Sequence, residues 1–173
     1  MDPEEVRILE WLDAAVRSKA IKPSLDAIAA RVEAKLRECA GDALAWEAVP
    51  LDLYAGPLPK DIRSSWLFIL RAGTTTGAER HPNSHQRMMS YRGSGDFQTR
   101  TESEWRSHFL TSDSSLVLEE KWISIPPFVW HQAVVPAENW VVVSFHTGSE
   151  EDLIEERPSE NDSTVRRKYS QGK

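Results

Sequence analysis

Apolar residues recur every three or four positions through the first twenty residues, as they do along one face of an α-helix. Asp2 is predicted to cap this helix, and Pro3 to occupy its first turn. The apolar stripe consists of Val6, Leu9, Leu12, Val16 and Ala20. The pattern therefore predicts an amphipathic helix with one buried face.

A second helical pattern follows the turn-like segment IKPS and ends at Gly41, a residue type that commonly follows a helix. Ser24 is predicted to cap this helix, because its side chain can accept a hydrogen bond from the first backbone N–H groups. The apolar face consists of Leu25, Ile28, Ala29, Val32, Leu36 and Cys39. This placement favours a core role for Cys39 over that of a reactive thiol.

From about Trp46 the pattern changes to short runs rich in β-branched and aromatic residues, separated by Gly, Pro, Asn and Ser. The runs are WEAVPLDLY, SSWLFILRA, HQRMMSYR, DFQTRT, SLVLEEKWISI and NWVVVSFH. Their spacing, with no helical pattern between them, is typical of an all-β sandwich or barrel. The last run is apolar on both faces, which predicts a buried central strand.

These patterns divide the chain into a helical extension over residues 1–45, a β-barrel over residues 46–148 and a charged tail over residues 149–173. The tail mixes acidic and basic clusters and offers little apolar surface to bury, so we expect it to be mobile or draped over the surface. A chain of 173 residues fits one domain with a single core.

Charge and cysteine content restrict the partners and the compartment. The net charge is −6 and the basic residues are scattered, which argues against a nucleic-acid partner. Cys39 is the single cysteine, so an internal disulfide and a Cys-based zinc motif are both excluded, and a reducing, cytoplasmic location is favoured. The acidic N-terminus is unlike a signal peptide, and no run approaches the ~20 apolar residues that span a bilayer. We therefore expect no membrane partner.

Residues 73–93, GTTTGAERHPNSHQRMMSYRG, place two histidines around the turn-prone sequence PNS. If this turn joins two strands, residues two apart point to the same face. Glu79 and His81 then share a face of the incoming strand. The residues that share a face of the outgoing strand are Gln86, Met88 and Ser90.

His85 falls on the opposite face of the outgoing strand, so we interpret it as a rim or surface residue and not as a metal ligand. The alternative is a helix, on which His81 and His85 would lie one turn apart and could bind one metal ion. Pro82, Asn83 and the flanking glycines disfavour that helix.

The same segment resembles the first motif of the cupins, in which Gly, His, His, Glu and Gly recur at fixed intervals. The residues of this chain at those intervals are Gly73, Glu79, His81, Gln86 and Gly93. Glu79 stands where the first His is usual, and Gln86 stands where Glu is usual. The run GSGDFQ that follows is also similar to the usual cupin continuation.

The downstream segment EKWISIPPFVWHQAVV resembles the second cupin motif through Pro126 and His131. The positions that depart from the family pattern are Glu120, Phe128 and Val135, where Gly, Gly and Asn are usual. Together the two motifs cover residues 73–135, and the β-rich flanks extend the resemblance to about residues 46–148. The helical extension and the charged tail lie outside it.

The resemblance implies a jelly-roll barrel, or double-stranded β-helix, with metal-binding positions at Glu79, His81, Gln86 and His131. Two imidazoles and one carboxylate favour iron, and would also accept manganese, nickel, copper or zinc as a single divalent ion. Gln86 is a weaker, neutral donor, so it is either a fourth ligand or a hydrogen-bond partner of the other ligands. Because Glu replaces His at one position and Gln replaces Glu at another, the charge of the ligand set is preserved.

Each ligand candidate also has an ordinary interpretation. Glu79 taken alone could be an exposed charge, His81 a residue beside a turn, and His131 a hydrogen-bonded core histidine. Their joint register favours the metal site. The residues predicted to line its pocket are Met88, Ser90, Trp66, Phe68 and Trp130, all of which could instead serve the core.

Arg71 and Arg92 are candidates for anchoring a substrate carboxylate or phosphate, with scaffold or solvent roles as the alternative. The leading functional hypothesis is a metal-dependent small-molecule enzyme of cupin type, in which two histidines and one carboxylate favour a non-haem iron dioxygenase. The resemblance also includes isomerases, decarboxylases and lyases.

The alternatives from other classes are a non-catalytic barrel that binds a sugar or an acid, and a structural dimer module that uses the N-terminal helices as its partner surface. Cupins are commonly dimeric, so the resemblance also allows a homodimer here. Metal content separates the first two classes, because only the enzyme hypothesis requires a bound ion.

Overall fold

The computed structural model of the protein describes residues 2–54, 56–159 and 163–169. Two helices come first, α1 at Pro3–Val16 and α2 at Lys22–Glu38. The strands are β1 at Leu44–Ala48, β2 at Ser64–Leu70, β3 at Gln86–Arg92, β4 at Ser94–Thr101, β5 at Glu104–Thr111, β6 at Trp122–Ile125, β7 at Trp130–Val134, β8 at Trp140–His146, β9 at Ile154–Pro158 and β10 at Thr164–Lys168. Neither helix has the length and apolar character needed to cross a bilayer in the described part of the chain.

The first helix begins as the sequence predicts. The Asp2 carboxylate accepts a hydrogen bond from the backbone N–H of Glu4 at 3.3 Å, which confirms the predicted cap. The helix ends at Val16, so Ala20 lies beyond it and is exposed, in contrast to the predicted stripe.

The second helix begins earlier than predicted, at Lys22, so that Pro23 lies in its first turn and Ser24 is inside the helix instead of capping it. Cys39 is exposed, so its predicted place in the core is wrong. Because α2 ends at Glu38, Cys39 has left helical geometry (φ −110°, ψ 75°) and no longer follows the apolar stripe.

Antiparallel strands form two sheets that close the barrel. One sheet has five strands in the order β1-β2-β8-β3-β6, and the other has three in the order β5-β4-β7. The predicted central strand is confirmed, since every residue of β8 is buried between β2 and β3. The sequence missed β5, whose run EWRSHFLT is rich in polar residues because it forms a half-exposed edge of the small sheet.

The inner faces of the two sheets enclose one hydrophobic core. From the large sheet come Trp66, Phe68 and Leu70, which alternate along β2. From the small sheet come Phe97 and Ala133, which pack in the same cluster. The all-β barrel with an N-terminal helical part is therefore confirmed.

The helices cover the outer face of the five-stranded sheet and form a second core with it. The apolar stripe of α2 is fully or almost fully buried against outward-pointing residues such as Leu67 and Ile69. Burying these stripes stabilises the chain by the hydrophobic effect. The buried stripes of both helices are thereby occupied within the chain, whereas Trp11 of α1 is 50% exposed.

The charged tail forms a β-hairpin with buried residues, in contrast to its predicted description. Strands β9 and β10 pair as an antiparallel hairpin, and Leu153, Glu155 and Tyr169 are buried. Tyr169 packs its ring against Trp66 in the inner core. The expectation that this segment has little to bury is therefore wrong for residues 149–159 and 163–169, and its remaining residues lie outside the described residues.

Phe128 has a positive φ of 67° although it is not glycine, and its side chain is 58% exposed. It occupies the position at which the cupin motif usually has Gly, and a left-handed backbone costs about 1–2 kcal/mol for a residue with a Cβ atom. Phe128→Gly is therefore expected to raise the free energy of unfolding by about 0.5–1 kcal/mol, after the entropic cost of glycine is subtracted.

The measurement is urea unfolding followed by far-UV circular dichroism. The matched control is Phe109→Gly, since Phe109 is 62% exposed but lies in regular strand geometry on β5. The control should lose stability, because glycine weakens a strand and Phe109 has no left-handed backbone strain for the substitution to relieve. If Phe128→Gly destabilises the protein as much as the control, the backbone at Phe128 carries no strain.

Candidate metal centre

Glu79 and His131 lie directly opposite each other in a short antiparallel bridge. The backbone N–H of Glu79 donates to the carbonyl of His131 at 2.9 Å, and the N–H of His131 donates to the carbonyl of Glu79 at 2.8 Å. Opposed residues of an antiparallel pair place their side chains on the same face. His81 follows two residues after Glu79 and therefore points to that face as well.

Both histidines are held in the tautomer that a metal ligand requires. The Nδ1 atom of His81 lies 2.9 Å from the carbonyl oxygen of Ile154, and Nδ1 of His131 lies 3.0 Å from that of Val129. A carbonyl only accepts, so each Nδ1 carries the proton and each Nε2 presents a lone pair. Both Nε2 atoms are buried and have no hydrogen-bond partner.

The three side chains converge. One ligand atom from each of Glu79, His81 and His131 lies within 4.8 Å of the other two, and Oε1 of Glu79 is 3.7 Å from Nε2 of His131. Buried nitrogen atoms without a partner are costly unless something binds them. The donor set, two imidazoles and one carboxylate, fits a divalent transition metal.

Gln86 opens β3 with its side chain directed into the barrel, on the same cavity as Glu79 and His131. Its Oε1 atom is buried and has no hydrogen-bond partner. An amide oxygen in that condition is an available neutral donor. The structure thus places Gln86 on the cavity that adjoins Glu79 and His131.

His146 is a third buried imidazole beside the centre, and the sequence analysis missed it. Its ring centroid is 5.1 Å from that of His81, and it stands opposite Gln86 in the pairing of β8 with β3. The hydroxyls of Ser84 and Ser144 lie 3.4 and 3.3 Å from its two ring nitrogens. Ser144 and His146 stand two apart on one face of β8, but both faces of this strand are buried, so the sequence pattern does not show which face points into the barrel.

Electrostatics favour the ligand forms of these groups. Burial alone would raise the pKa of Glu79, but the neighbouring side chains of His131, His81 and Arg157 lower that pKa to about 2. Burial, together with His131, lowers the pKa of His81 to about 4, and burial also lowers the pKa of His146. The carboxylate is therefore ionised and the His81 imidazole neutral near neutral pH, as metal binding requires.

A small cavity of about 30 Å³ adjoins Glu79, Gln86 and His131. A volume of that size holds about one or two water molecules. Its other walls are mainly apolar and include Phe68 and Met88, two of the predicted pocket residues. Among the described residues that line it there is no Lys or Arg.

The other predicted pocket residues lie elsewhere. Trp66 packs in the inner core against Trp46 and Tyr169, and the Ser90 hydroxyl accepts a hydrogen bond from Trp140 Nε1 at 2.8 Å. Trp130 stacks under Arg80 at 4.5 Å, on the face of β7 opposite His131. These three residues do not line the cavity as predicted, because Trp130 lies on the other face of β7 and because Trp66 and Ser90 are engaged by other residues of the inner core.

His85 and the two candidate anchors also lie away from the centre. His85 is on the outer face of the large sheet, where Nε2 is 2.6 Å from the Ser124 hydroxyl. Arg71 donates to the carbonyls of Leu36, Cys39 and Asp42 at 2.6–2.7 Å, so it closes the C-terminal end of α2. Arg92 is exposed and faces Glu33 at 3.7 Å.

No protein-family model and no curated protein matches this sequence. Among solved structures, coconut allergen cocosin is similar with a TM-score of 0.52 and 13% identity, over 71% of this chain and 30% of that one. The capsular polysaccharide assembling protein CapF from Staphylococcus aureus matches with a TM-score of 0.49 and 15% identity, over 72% of this chain and 32% of that one. Oxalate oxidase in complex with the substrate analogue glycolate matches with a TM-score of 0.46 and 15% identity, over 72% of this chain and 55% of that one.

These neighbours are cupin-fold proteins, and the chain spans about a third or less of the length of cocosin and CapF. At such low identity the similarity bears on the fold alone. The barrel described above is a jelly roll of the cupin type, and a shared fold does not determine its chemistry.

Proposed function

We propose that this protein is a metal-dependent enzyme that acts on a small, largely apolar molecule, with iron(II) and dioxygen as the favoured chemistry. Glu79, His81 and His131 would hold one divalent ion, and Gln86 would add a neutral oxygen. Two imidazoles and a carboxylate that leave coordination positions open are typical of non-haem iron oxygenases. The proposal includes metal-dependent isomerase or lyase chemistry as the nearest alternative reaction.

The observation that supports the proposal most strongly is the pair of buried Nε2 atoms of His81 and His131 without any partner. Backbone carbonyls fix the proton of each ring on Nδ1, so a change of tautomer would break that hydrogen bond and would not supply a partner for Nε2. A structural role for two core histidines would leave both atoms hydrogen-bonded. An ion between them and Glu79 would use both lone pairs.

A bound divalent metal would polarise an oxygen atom and orient the reactants at its open positions. The residues of the chain would position this chemistry and exclude water. The apolar walls around Phe68, Met88 and Phe97 would face the open coordination positions of the metal and keep water away from them. The absence of Lys and Arg from the described lining disfavours an anionic substrate tail.

The test is elemental analysis of the purified protein, followed by dioxygen uptake after loading with iron(II) under anaerobic conditions. The expected result is about one metal ion per chain, and uptake that requires both iron and a small uncharged substrate. A loaded protein that converts substrates without consuming dioxygen would instead be a metal-dependent isomerase or lyase. A folded chain that takes up no divalent metal would refute the enzyme hypothesis.

A non-catalytic binding barrel is the second candidate, and one observation favours it. Arg157 donates to the Glu79 carboxylate at 2.5 Å, so this charge is balanced in the protein without any metal. A barrel of this kind would bind its small ligand equally well with and without a chelator. The enzyme hypothesis requires chelation to abolish turnover.

Gln86→Glu is expected to bind the metal more tightly, by about tenfold, because it replaces a neutral oxygen donor with an anionic one at the same place. Titration of the metal-free protein with manganese(II), followed by calorimetry, gives the dissociation constants. Gln132→Glu is the control, since Gln132 lies on the same cavity but donates its amide to Gln98 at 2.8 Å. Weaker binding by Gln86→Glu would mean that Gln86 stands outside the coordination shell.

A further inference from the structure

Arg157, on β9, contacts a metal-ligand candidate from outside the cupin motifs. Its Nη2 atom donates to Oε2 of Glu79 at 2.5 Å, whereas the other oxygen, Oε1, faces Nε2 of His131. The two oxygens of Glu79 therefore serve different partners. One is held by a fixed cation and one is directed at the histidines.

The contact is built into the fold. The backbone groups of Arg80 and Glu156 exchange hydrogen bonds at 3.0 and 2.9 Å, which aligns β9 with the segment that carries Glu79 and His81. Ile154, on the same strand, supplies the carbonyl that orients His81. One strand of the tail thus supports two of the three ligand candidates.

The guanidinium of Arg157 is also fixed from its other side. Its Nε atom donates to Glu155, a carboxylate that is 4% exposed and also receives Arg167 Nη2 at 2.6 Å. Burial alone would lower the pKa of Arg157, but the charges of Glu79 and Glu155 raise it. The side chain is therefore held in one orientation by a carboxylate on each side.

We propose that Arg157 is a positioning residue that makes Glu79 a single-oxygen metal ligand and moderates the affinity of the centre for its ion. This inference rests on the proposed metal site. Because Arg157 binds Oε2, Glu79 can offer only Oε1 to the ion. The ion would then keep free the coordination position that a second carboxylate oxygen would take. Its positive charge lies next to the ion and opposes it.

Removing the guanidinium has a definite expected sign. In Arg157→Met the apolar stem is kept, Oε2 becomes available and the competing cation is lost. The metal-free variant also carries a buried carboxylate without its partner, so a metal ion gains more by binding. The dissociation constant for manganese(II) should fall by about tenfold, a conservative allowance for a charge so close in a partly buried site.

The experiment compares wild type, Arg157→Met and Arg167→Met by manganese(II) calorimetry, by metal-induced shifts in thermal midpoint, and by the absorption spectrum of the cobalt(II)-loaded proteins. Arg167→Met is the matched control, because both arginines contact Glu155 but only Arg157 is bonded to Glu79. Arg157→Met should show tighter binding, a larger thermal shift and weaker cobalt absorption from a higher coordination number. Arg167→Met should resemble wild type.

Unchanged affinity and spectrum in Arg157→Met would overturn the positioning role, as would an equal change in Arg167→Met. Arg157→Lys adds a second variant that keeps the charge without the forked donor, and it should bind manganese more weakly than Arg157→Met. If wild type itself binds neither manganese nor cobalt, the proposed metal function fails. If wild type binds and the arginine variants do not differ, the inference about Arg157 fails by itself.

Discussion

His131→Ala is expected to weaken metal binding by at least about a hundredfold, because it removes a residue that binds the ion directly. Loss of a residue that only hydrogen-bonds to a metal ligand already costs about 10–100-fold in metal affinity. The protein should retain its fold, since the ring lines a cavity and its Nδ1 atom bonds a carbonyl only two residues away, that of Val129. Metal content after dialysis against a weak chelator, together with manganese(II) calorimetry, measures the loss.

His81→Ala should lose the metal to the same extent, and Glu79→Gln should also bind weakly because it removes the anionic donor. His85→Ala is the matched control, since His85 belongs to the same segment as His81 but lies on the outer face of the large sheet, next to Ser124. Its metal content should equal that of wild type. Equal losses in His85→Ala and His131→Ala would show that general damage to the barrel, and not ligation, releases the ion.

The convergence of Glu79, His81 and His131 could be predicted because it follows from local rules. Residues that stand two apart on an extended segment share a face, as Glu79 and His81 do. The intervals of the two motifs indicate how far along the chain the strand that carries His131 lies. The glycines at both ends of the first motif, Gly73 and Gly93, have φ values of 70° and 87°, so the spacing encodes backbone geometry that other residues rarely adopt.

The remainder of the site depends on contacts between distant segments, which local periodicity does not contain. His146 lies on a strand with two apolar faces, so alternation alone could not assign its direction. The tail contributes Ile154, Arg157 and Tyr169 only because the hairpin β9–β10 packs against the barrel. The charged composition of the tail did not indicate this role, because its arginines pair with a carboxylate, Glu155, that is itself buried.

A second large effect is expected where α1 joins the sheet. Arg87 points from β3 to the outer face, where it donates to both carboxylate oxygens of Glu5 at 2.7 and 2.9 Å and to Asp61 at 2.8 Å. Its side chain is only 4% exposed, and that of Glu5 is 14% exposed. Glu5 also accepts from the Ser124 hydroxyl at 2.6 Å, so this cluster ties the helix to two strands.

Arg87→Met is expected to lower the free energy of unfolding by about 3 kcal/mol, because it leaves Glu5 desolvated and without its charge partner. Urea unfolding near neutral pH measures the loss. The control is Arg31→Met, since Arg31 pairs with Glu47 between α2 and β1 but is 55% exposed. Exposed pairs contribute less than about 1 kcal/mol, so similar losses in the two variants would contradict the special role of Arg87.

The same pair should control part of the acid sensitivity of the fold. Burial would raise the pKa of Glu5, but the hydrogen bonds from Arg87 and Ser124 and the nearby positive charges lower it below 4.5. A carboxyl group with a lowered pKa in the folded state contributes stability that is present above its unfolded pKa and is lost as the pH falls through its folded pKa. In Arg87→Met that contribution is gone at every pH. The stability difference between wild type and Arg87→Met should therefore shrink as the pH falls below about 4.5, and a difference that stays constant down to about pH 3 would show that Arg87 stabilises the protein through packing and not through Glu5.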